Sequence, residues 1–325
     1  MKVSIIMPVY QVSDYVERCL LSVMKQDYEN IECIIIDDAT KDDSIIKCEK
    51  LIENYKGPIC FKIIHHPMNR GVSAARNTGT DAAIGDYLYY LDSDDEITSD
   101  CIGKLVAPIM EDSTIEMVQG NFEKRSGNDS LGVTSVTPMR ILSNKDVRKQ
   151  YLKRYNINTL AWNKLLKRSF ILNNKIYFKE KLISEDHLWM FYLIKYLENV
   201  YICNDVTYYY YYRPGSLTST NKKIRGEHFQ IIFNDILNHL TTGKEKEELR
   251  SYLYKFSYTY LLYIEYLPSF KEVLALYQKR AKQHGCLFVY FALFIIGIMG
   301  YFGASLNVLK KLNNTRKKIN RKRIV

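Results

Sequence analysis

Four short apolar runs, Val3–Val9, Ile31–Ile36, Phe61–Ile64 and Tyr87–Leu91, recur along the start of the chain with a helical stretch between each pair. This alternation constrains the fold more than any other feature. Runs that are mostly apolar in succession, rather than at every second residue, suit strands buried on both faces. The intervening stretches carry apolar residues at helical spacing. Residues 13–26 place Tyr15, Val16, Cys19, Leu20 and Val23 on one face, with Ser13 as N-cap. Asp42 to Tyr55 and Ser73 to Ala83 read as two further helices. Strands alternating with helices imply βαβ units and a mixed, mostly parallel sheet covered on both sides. In such sheets ligands bind beyond the carboxyl ends of the strands. Two acidic clusters, Asp37-Asp38 and Asp92-Ser93-Asp94-Asp95, fall at those ends.

The second cluster sets three carboxylates within four residues. Such groups repel unless a cation sits among them, and all-oxygen ligands suit Mg²⁺ or Mn²⁺. A solvated acidic turn is the bland alternative. No Gly-rich loop follows the first run, where Tyr10-Gln11-Val12-Ser13 stands instead. That excludes a dinucleotide fingerprint and a P-loop. Further on, the pattern predicts another helix and strand over 100–145, with a polar loop from Lys124 to Pro138. Residues 146–220 read as helical and aromatic, with a helix over 185–198 and a strand through the five tyrosines from Tyr208. Residues 225–283 read as helices only.

The seven cysteines are scattered, odd in number and never in C-x-x-C spacing, which argues against a disulfide framework or a structural zinc site. The chain enters a strand at once, so a signal peptide is not expected. The net charge of +10 lies mostly in residues 309–325, which hold eight Lys or Arg and no acid, leaving +2 for the rest. Cys286–Leu306 is nearly all apolar and uncharged, interrupted by Gly297, Gly300 and Gly303, with Lys279, Arg280 and Lys282 ahead of it. The length allows a single span. Positive charge on both flanks favours a re-entrant or in-plane anchor, with the basic tail on anionic headgroups. A buried helix is the alternative. A basic tail beside an apolar anchor suits lipid better than nucleic acid.

The succession Pro8-Val9-Tyr10, Ile36-Asp37-Asp38, Asn69-Arg70-Gly71-Val72-Ser73-Ala74-Ala75-Arg76-Asn77-Thr78-Gly79 and Asp92-Ser93-Asp94-Asp95 resembles the family 2 glycosyltransferases. Ala161-Trp162-Asn163-Lys164-Leu165, Ser184-Glu185-Asp186 and Tyr210-Tyr211-Tyr212-Arg213-Pro214-Gly215-Ser216 extend the resemblance, as in members that build bacterial capsule, exopolysaccharide and O-antigen chains. The resemblance implies a GT-A, Rossmann-like nucleotide-binding fold over residues 1–220, split into a nucleotide-sugar half (1–100) and an acceptor half (101–220). A helical extension (221–284) and a membrane-associating tail (285–325) complete the expected organisation.

It also implies roles. Pro8, Val9 and Tyr10 line the base, and Asp38 accepts the uracil imide N–H; a helix cap is the alternative for Asp38. Arg76 reaches the base or diphosphate, and Asp92 and Ser93 contact the donor. Asp94, with Asp92, holds Mn²⁺ or Mg²⁺. Asp186 is the general base of an inverting displacement, although an acidic pair at a helix N-terminus has a purely electrostatic alternative. Asp95, Glu185, Trp162, Lys164 and Arg213 are supporting residues. His65 and His66 receive no role. The implied reaction moves a hexose or N-acetylhexosamine from a UDP-sugar to a hydroxyl of a lipid-linked glycan or oligosaccharide, at the cytoplasmic face of the cell membrane. The alternatives are a non-catalytic nucleotide-sugar- or sugar-binding membrane protein and a sugar nucleotidyltransferase.

Overall fold

The computed structural model describes residues 1–134, 136–152, 156–212 and 222–240, with single positions at 275, 278, 279 and 282. It divides into two compact units, Met1–Ser216 and Leu217–Val325. Unit 1 is built on a ten-stranded mixed sheet.

The first half of that sheet follows the expected alternation. Strands β1 (Val3–Val9), β2 (Ile31–Asp37), β3 (Cys60–His65) and β4 (Tyr87–Tyr90) are separated by helices α1 (Val16–Met24), α2 (Ser44–Asn54) and α3 (Val72–Ala82). They pair in parallel in the order β3-β2-β1-β4. Ile34, Ile35 and Ile36 are fully buried, and burying such a side chain stabilises by about 1.5–3 kcal/mol. α3 approaches β1 so closely that a Cβ at Gly79 would run into the Ile6 side chain.

α1 begins later than the periodicity predicts. Tyr15 stands at its cap with no side-chain capping bond. Ser13 is not that cap, because its hydroxyl bonds Asp43 and its N–H bonds Asp42 instead. The chain between β1 and α1 is thus tied to the start of α2.

The second half interleaves. β5 (Glu96–Ile97) and α4 (Cys101–Glu111) lead to β6 (Met117–Ser126), β7 (Asp129–Val133) and β8 (Met139–Ile141). Then come α5 (Asn144–Leu152), β9 (Lys164–Lys167), α6 (Arg168–Asn173), α7 (Asp186–Tyr196) and β10 (Val200–Tyr211). β9 inserts between β4 and β6, antiparallel to both, while β10 lies parallel to β6. Most of the ladder length is still parallel.

Two expectations are corrected here. The stretch read as a polar loop, Lys124–Pro138, holds the end of β6 and the whole of β7, paired as an antiparallel hairpin. The region read as helical, 146–220, contains β9 and the twelve-residue β10. The tyrosine run does form strand, with Tyr208 fully buried.

In unit 2, α8 (Lys222–Leu240) buries Phe229, Ile232, Phe233, Ile236 and Leu240, the spacing of one helical face. No described helix is long and apolar enough to cross a membrane. The Cys286–Leu306 segment and the basic tail lie outside the described residues, as do Arg213 and Ser216.

Candidate active site

The register of β1 brings the acidic clusters to one rim. Val9 lies opposite Asp37, the Asp38 N–H donates to the Val9 carbonyl at 3.0 Å, and the Leu91 N–H donates to the Ile6 carbonyl at 3.0 Å. Asp37-Asp38 and Asp92 to Asp95 therefore leave the two strands that flank β1 at the same end.

Asp92, Asp94 and Asp95 each place a carboxylate oxygen within 4.8 Å of the others. They are not equivalent. Asp95 is 1% exposed, and its two oxygens accept from the Tyr208 hydroxyl at 2.7 Å and the Tyr211 N–H at 2.8 Å. Burial and the neighbouring carboxylates of Asp94 and Asp92 push its carboxyl well up. Asp95 thus ties the acidic loop to β10. The partly exposed Asp92 and Asp94 fit a hard divalent cation, which takes one or two protein carboxylates when a diphosphate supplies further oxygens.

Arg76 on α3 joins this loop to the start of α7. Its side chain is 3% exposed. Nη2 donates to Asp92 Oδ1 at 2.8 Å, and Nη1 donates to Glu185 Oε1 at 2.6 Å and to Asp186 Oδ1 at 3.4 Å. The three carboxylates outweigh the desolvation of the guanidinium and hold it protonated. α3 is further latched to the segment leading into α7. Asn77 Nδ2 donates to the Phe178 carbonyl, and Asn77 Oδ1 accepts the Phe178 N–H, both at 2.9 Å. The Phe178 ring stacks on Trp189 with centroids 4.6 Å apart and meets Tyr90 edge-on. Burial, then Glu185, push the Asp186 carboxyl up to about 7, with Arg76 and Lys164 opposing.

Several expected contacts are placed differently. Asp38 is 2% exposed. Its Oδ1 accepts from His66 Nδ1 at 2.7 Å and the Arg70 N–H at 2.9 Å; its Oδ2 accepts from Asn69 Nδ2 at 2.9 Å and the Gly71 N–H at 2.7 Å. With both oxygens engaged, Asp38 anchors the 66–71 loop. Gly71, at φ +87°, then stands at the N-terminal cap of α3, the helix that carries Arg76. His66 is the residue the sequence reading missed. Its other nitrogen meets Thr78 at 2.9 Å, clamping the loop to α3. Two histidines ahead of a proline carried no signal beyond their place at a strand end. Replacing Asp38 by alanine is expected to orphan two backbone N–H groups and cost about 3 kcal/mol in urea unfolding. An unchanged unfolding midpoint would refute the anchoring role.

Val9 is fully buried, half-buried Pro8 lies in β1, and Tyr10 is exposed at the rim. Ser93 is buried. Trp162 belongs to the core rather than to a cleft. It stacks on Tyr208 at 4.3 Å and Tyr210 at 5.6 Å, and meets Phe122 edge-on. Lys164 is also fully buried, and its amine donates to Asn158 Oδ1 and the Leu160 carbonyl. Burial pushes that amine down to about 7, with Asp186 opposing. Neither residue supports the site by direct exposure.

With this geometry in hand, the family model "Glycosyl transferase family 2" matches residues 4–181. The uncharacterized glycosyltransferase EpsJ of Bacillus subtilis (strain 168) is 29% identical over 261 residues, covering 77% of this chain and 74% of EpsJ. The poly(ribitol-phosphate) beta-N-acetylglucosaminyltransferase TarS of Staphylococcus aureus (strain Mu50) is 27% identical over 257 residues, covering 77% of this chain but only 43% of TarS. Among solved structures, S. aureus TarS 1-349 in complex with UDP-GlcNAc gives a TM-score of 0.67 at 22% identity, covering 86% of this chain and 81% of that one. The mannosyltransferase PcManGT of Pyrobaculum calidifontis, in complex with GDP-Man and Mn²⁺, gives 0.58 at 16% identity, covering 94% and 88%. These structural likenesses establish the GT-A fold.

Proposed function

The chain belongs to glycosyl transferase family 2, and from that premise we propose that it is an inverting, metal-dependent enzyme moving a hexose or N-acetylhexosamine from a UDP-sugar to a glycan hydroxyl. The observation that carries the reading is the Arg76 junction. One buried guanidinium holds Asp92 of the acidic loop and the Glu185-Asp186 pair. The group proposed to face the donor diphosphate and the group proposed to face the acceptor thereby lie on either side of one side chain.

Asp186 is the proposed base rather than Glu185. Glu185 is committed to Arg76 at 2.6 Å and nearly buried, whereas Asp186 stands at 3.4 Å with its side chain 19% exposed. Its carboxylate takes the proton of the acceptor hydroxyl as that oxygen attacks C1 of the sugar. The C1–O bond to UDP breaks with its electron pair leaving on the diphosphate, and attack from the opposite face inverts the anomeric centre. Asp94 and Asp92 would hold Mn²⁺ or Mg²⁺, which when bound neutralises the leaving diphosphate. Tyr10, exposed at the end of β1, is proposed to stack on the base, with Pro8 beside it. Asp38 contributes by ordering the loop from which α3 and Arg76 start.

UDP as the carrier is supported by the UDP-GlcNAc bound to TarS, and a divalent cation by the Mn²⁺ bound to PcManGT. A lipid-linked acceptor at the cytoplasmic membrane face is proposed from the sequence of residues 286–325.

Full-length protein in detergent, incubated with a panel of UDP- and GDP-sugars and Mn²⁺, tests the reading by release of nucleoside diphosphate. Release from one UDP-sugar is expected, abolished by EDTA and by Asp94→Ala. UDP binding without release under any acceptor would favour the non-catalytic alternative. Failure to bind UDP at all would refute the proposal.

A further inference from the structure

Helix α1 grips the acidic loop through its backbone. Cys19 Sγ lies 3.6 Å from the Asp92 carbonyl, and Arg18 Nη2 donates to the Asp94 carbonyl at 3.0 Å. One turn further, Ser22 Oγ accepts the Ile97 N–H at 3.2 Å, and just past the end of α1 Gln26 Nε2 donates to the Thr98 carbonyl at 2.7 Å, holding the segment that follows the loop. Of these four side chains only Arg18 is charged, and it does more than bond one carbonyl. Its Nε stands 2.5 Å from Glu96 Oε1, and its guanidinium lies over the Tyr211 ring, 3.6 Å from the centroid. The Tyr211 hydroxyl donates to the same Glu96 oxygen at 3.1 Å, while its N–H holds Asp95. Arg18 is thus the centre of a clamp made by α1, the acidic loop and the end of β10.

The loop needs holding. The partly exposed carboxylates of Asp92 and Asp94 lie close together, like charges at that range repel, and a free backbone would let them spread. Fixing the Asp94 carbonyl fixes the plane of the peptide that follows and limits how far the Asp94 backbone can swing. A planar fork that hydrogen-bonds, pairs and stacks at once is a guanidinium property that an ammonium does not share. As a plain ion pair, Arg18 and Glu96 would matter little, because their side chains are 37% and 20% exposed.

We propose that Arg18 is a positioning residue of the cation site, holding the Asp94 peptide so that the Asp92 and Asp94 carboxylates stay converged. The inference rests on the reading of those two residues as cation ligands.

The test is Mn²⁺ titration of the full chain in the presence of UDP, followed by electron paramagnetic resonance of free Mn²⁺. The proteins compared are wild type, Arg18→Met, Arg18→Lys and Asp94→Asn. Groups behind metal ligands typically change affinity 10–100-fold, so Arg18→Met is expected to weaken Mn²⁺ binding about tenfold. Its melting temperature without metal should move by no more than about 3 °C, the scale of an exposed pair. Arg18→Lys is expected to bind within about threefold of Arg18→Met, because charge alone does not replace the fork. Wild-type affinity in Arg18→Met, full recovery in Arg18→Lys, or a loss matched by a large fall in melting temperature would each overturn the inference. If wild type binds no Mn²⁺, or Asp94→Asn binds it equally well, the cation site itself is refuted and the inference falls with it.

Discussion

Replacing Asp186 by asparagine is expected to lower kcat by about 10²–10⁴-fold, the usual contribution of a positioned proton acceptor, while UDP-sugar affinity changes little. The substitution keeps the shape of the side chain and removes only its ability to take a proton. The pH dependence carries a second signature. Burial and Glu185 push this carboxyl up to about 7, and a base works only when deprotonated. Wild-type kcat/KM should therefore rise about tenfold per pH unit below that value and level off above it. Linkage works in the opposite sense. The folded pKa lies above the ordinary value of 3.8, so the folded state binds the proton more tightly than the unfolded one. Stability from this group is fully present below about 3.8 and is lost as pH rises towards about 7. Asp186→Asn should lose less melting temperature than wild type across that window. An active asparagine variant with an unchanged pH profile would move the base elsewhere.

Arg76→Met is expected to destabilise unit 1 strongly. It leaves Asp92, Glu185 and Asp186 facing one another without their shared counter-charge. Removing one partner of a buried ionic group costs about 3–5 kcal/mol. For a unit of this size each kcal/mol lowers the melting temperature by about 2–4 °C, so a fall on the order of 10 °C is expected. Because Arg76 opposes the upward push on Asp186, the acid limb of the pH–rate profile should also move to higher pH in whatever activity remains. Arg76→Lys should sit between, since an ammonium cannot reach all three carboxylates from a fixed plane. A methionine variant that melts with wild type would show that the junction contributes neither to stability nor to the site.

The parts of this molecule legible in the sequence are those where burial on both faces dictates composition. β1 and β2 are nearly unbroken apolar runs, buried at all but one position each, and the acidic end of β2 marks the rim without any structural knowledge. β7 is the opposite case. Every residue in it is exposed, so no face selects for apolar side chains, and the hairpin reads as a polar loop. β9 is four residues long, too short to show a period, and enters through Asn163 at φ +58°. The site shows the same division. The residues proposed to carry the chemistry, Asp92, Asp94 and Asp186, announce themselves by clustering and by the family pattern. Asp38 and His66 do not. Whether a carboxylate at a strand end points outward to a ligand or inward to its own loop depends on backbone N–H groups, such as those of Arg70 and Gly71, that every sequence possesses.

The place of β9 in the sheet has a consequence for how the chain is made. Tyr87–Tyr90 is buried throughout and borders β1 on one side only until Lys164–Lys167 arrives on the other. Roughly 75 residues separate those segments, which a ribosome adds in about 4–15 s. For that interval the growing polypeptide carries an apolar strand with one row of amides and carbonyls unmatched, the kind of edge that recruits other strands. The first hundred residues hold most of the motifs proposed to bind the donor, yet they are not a cassette that could be lifted out or transplanted. Strand β4 among them is closed only by Lys164–Lys167, from far along the chain.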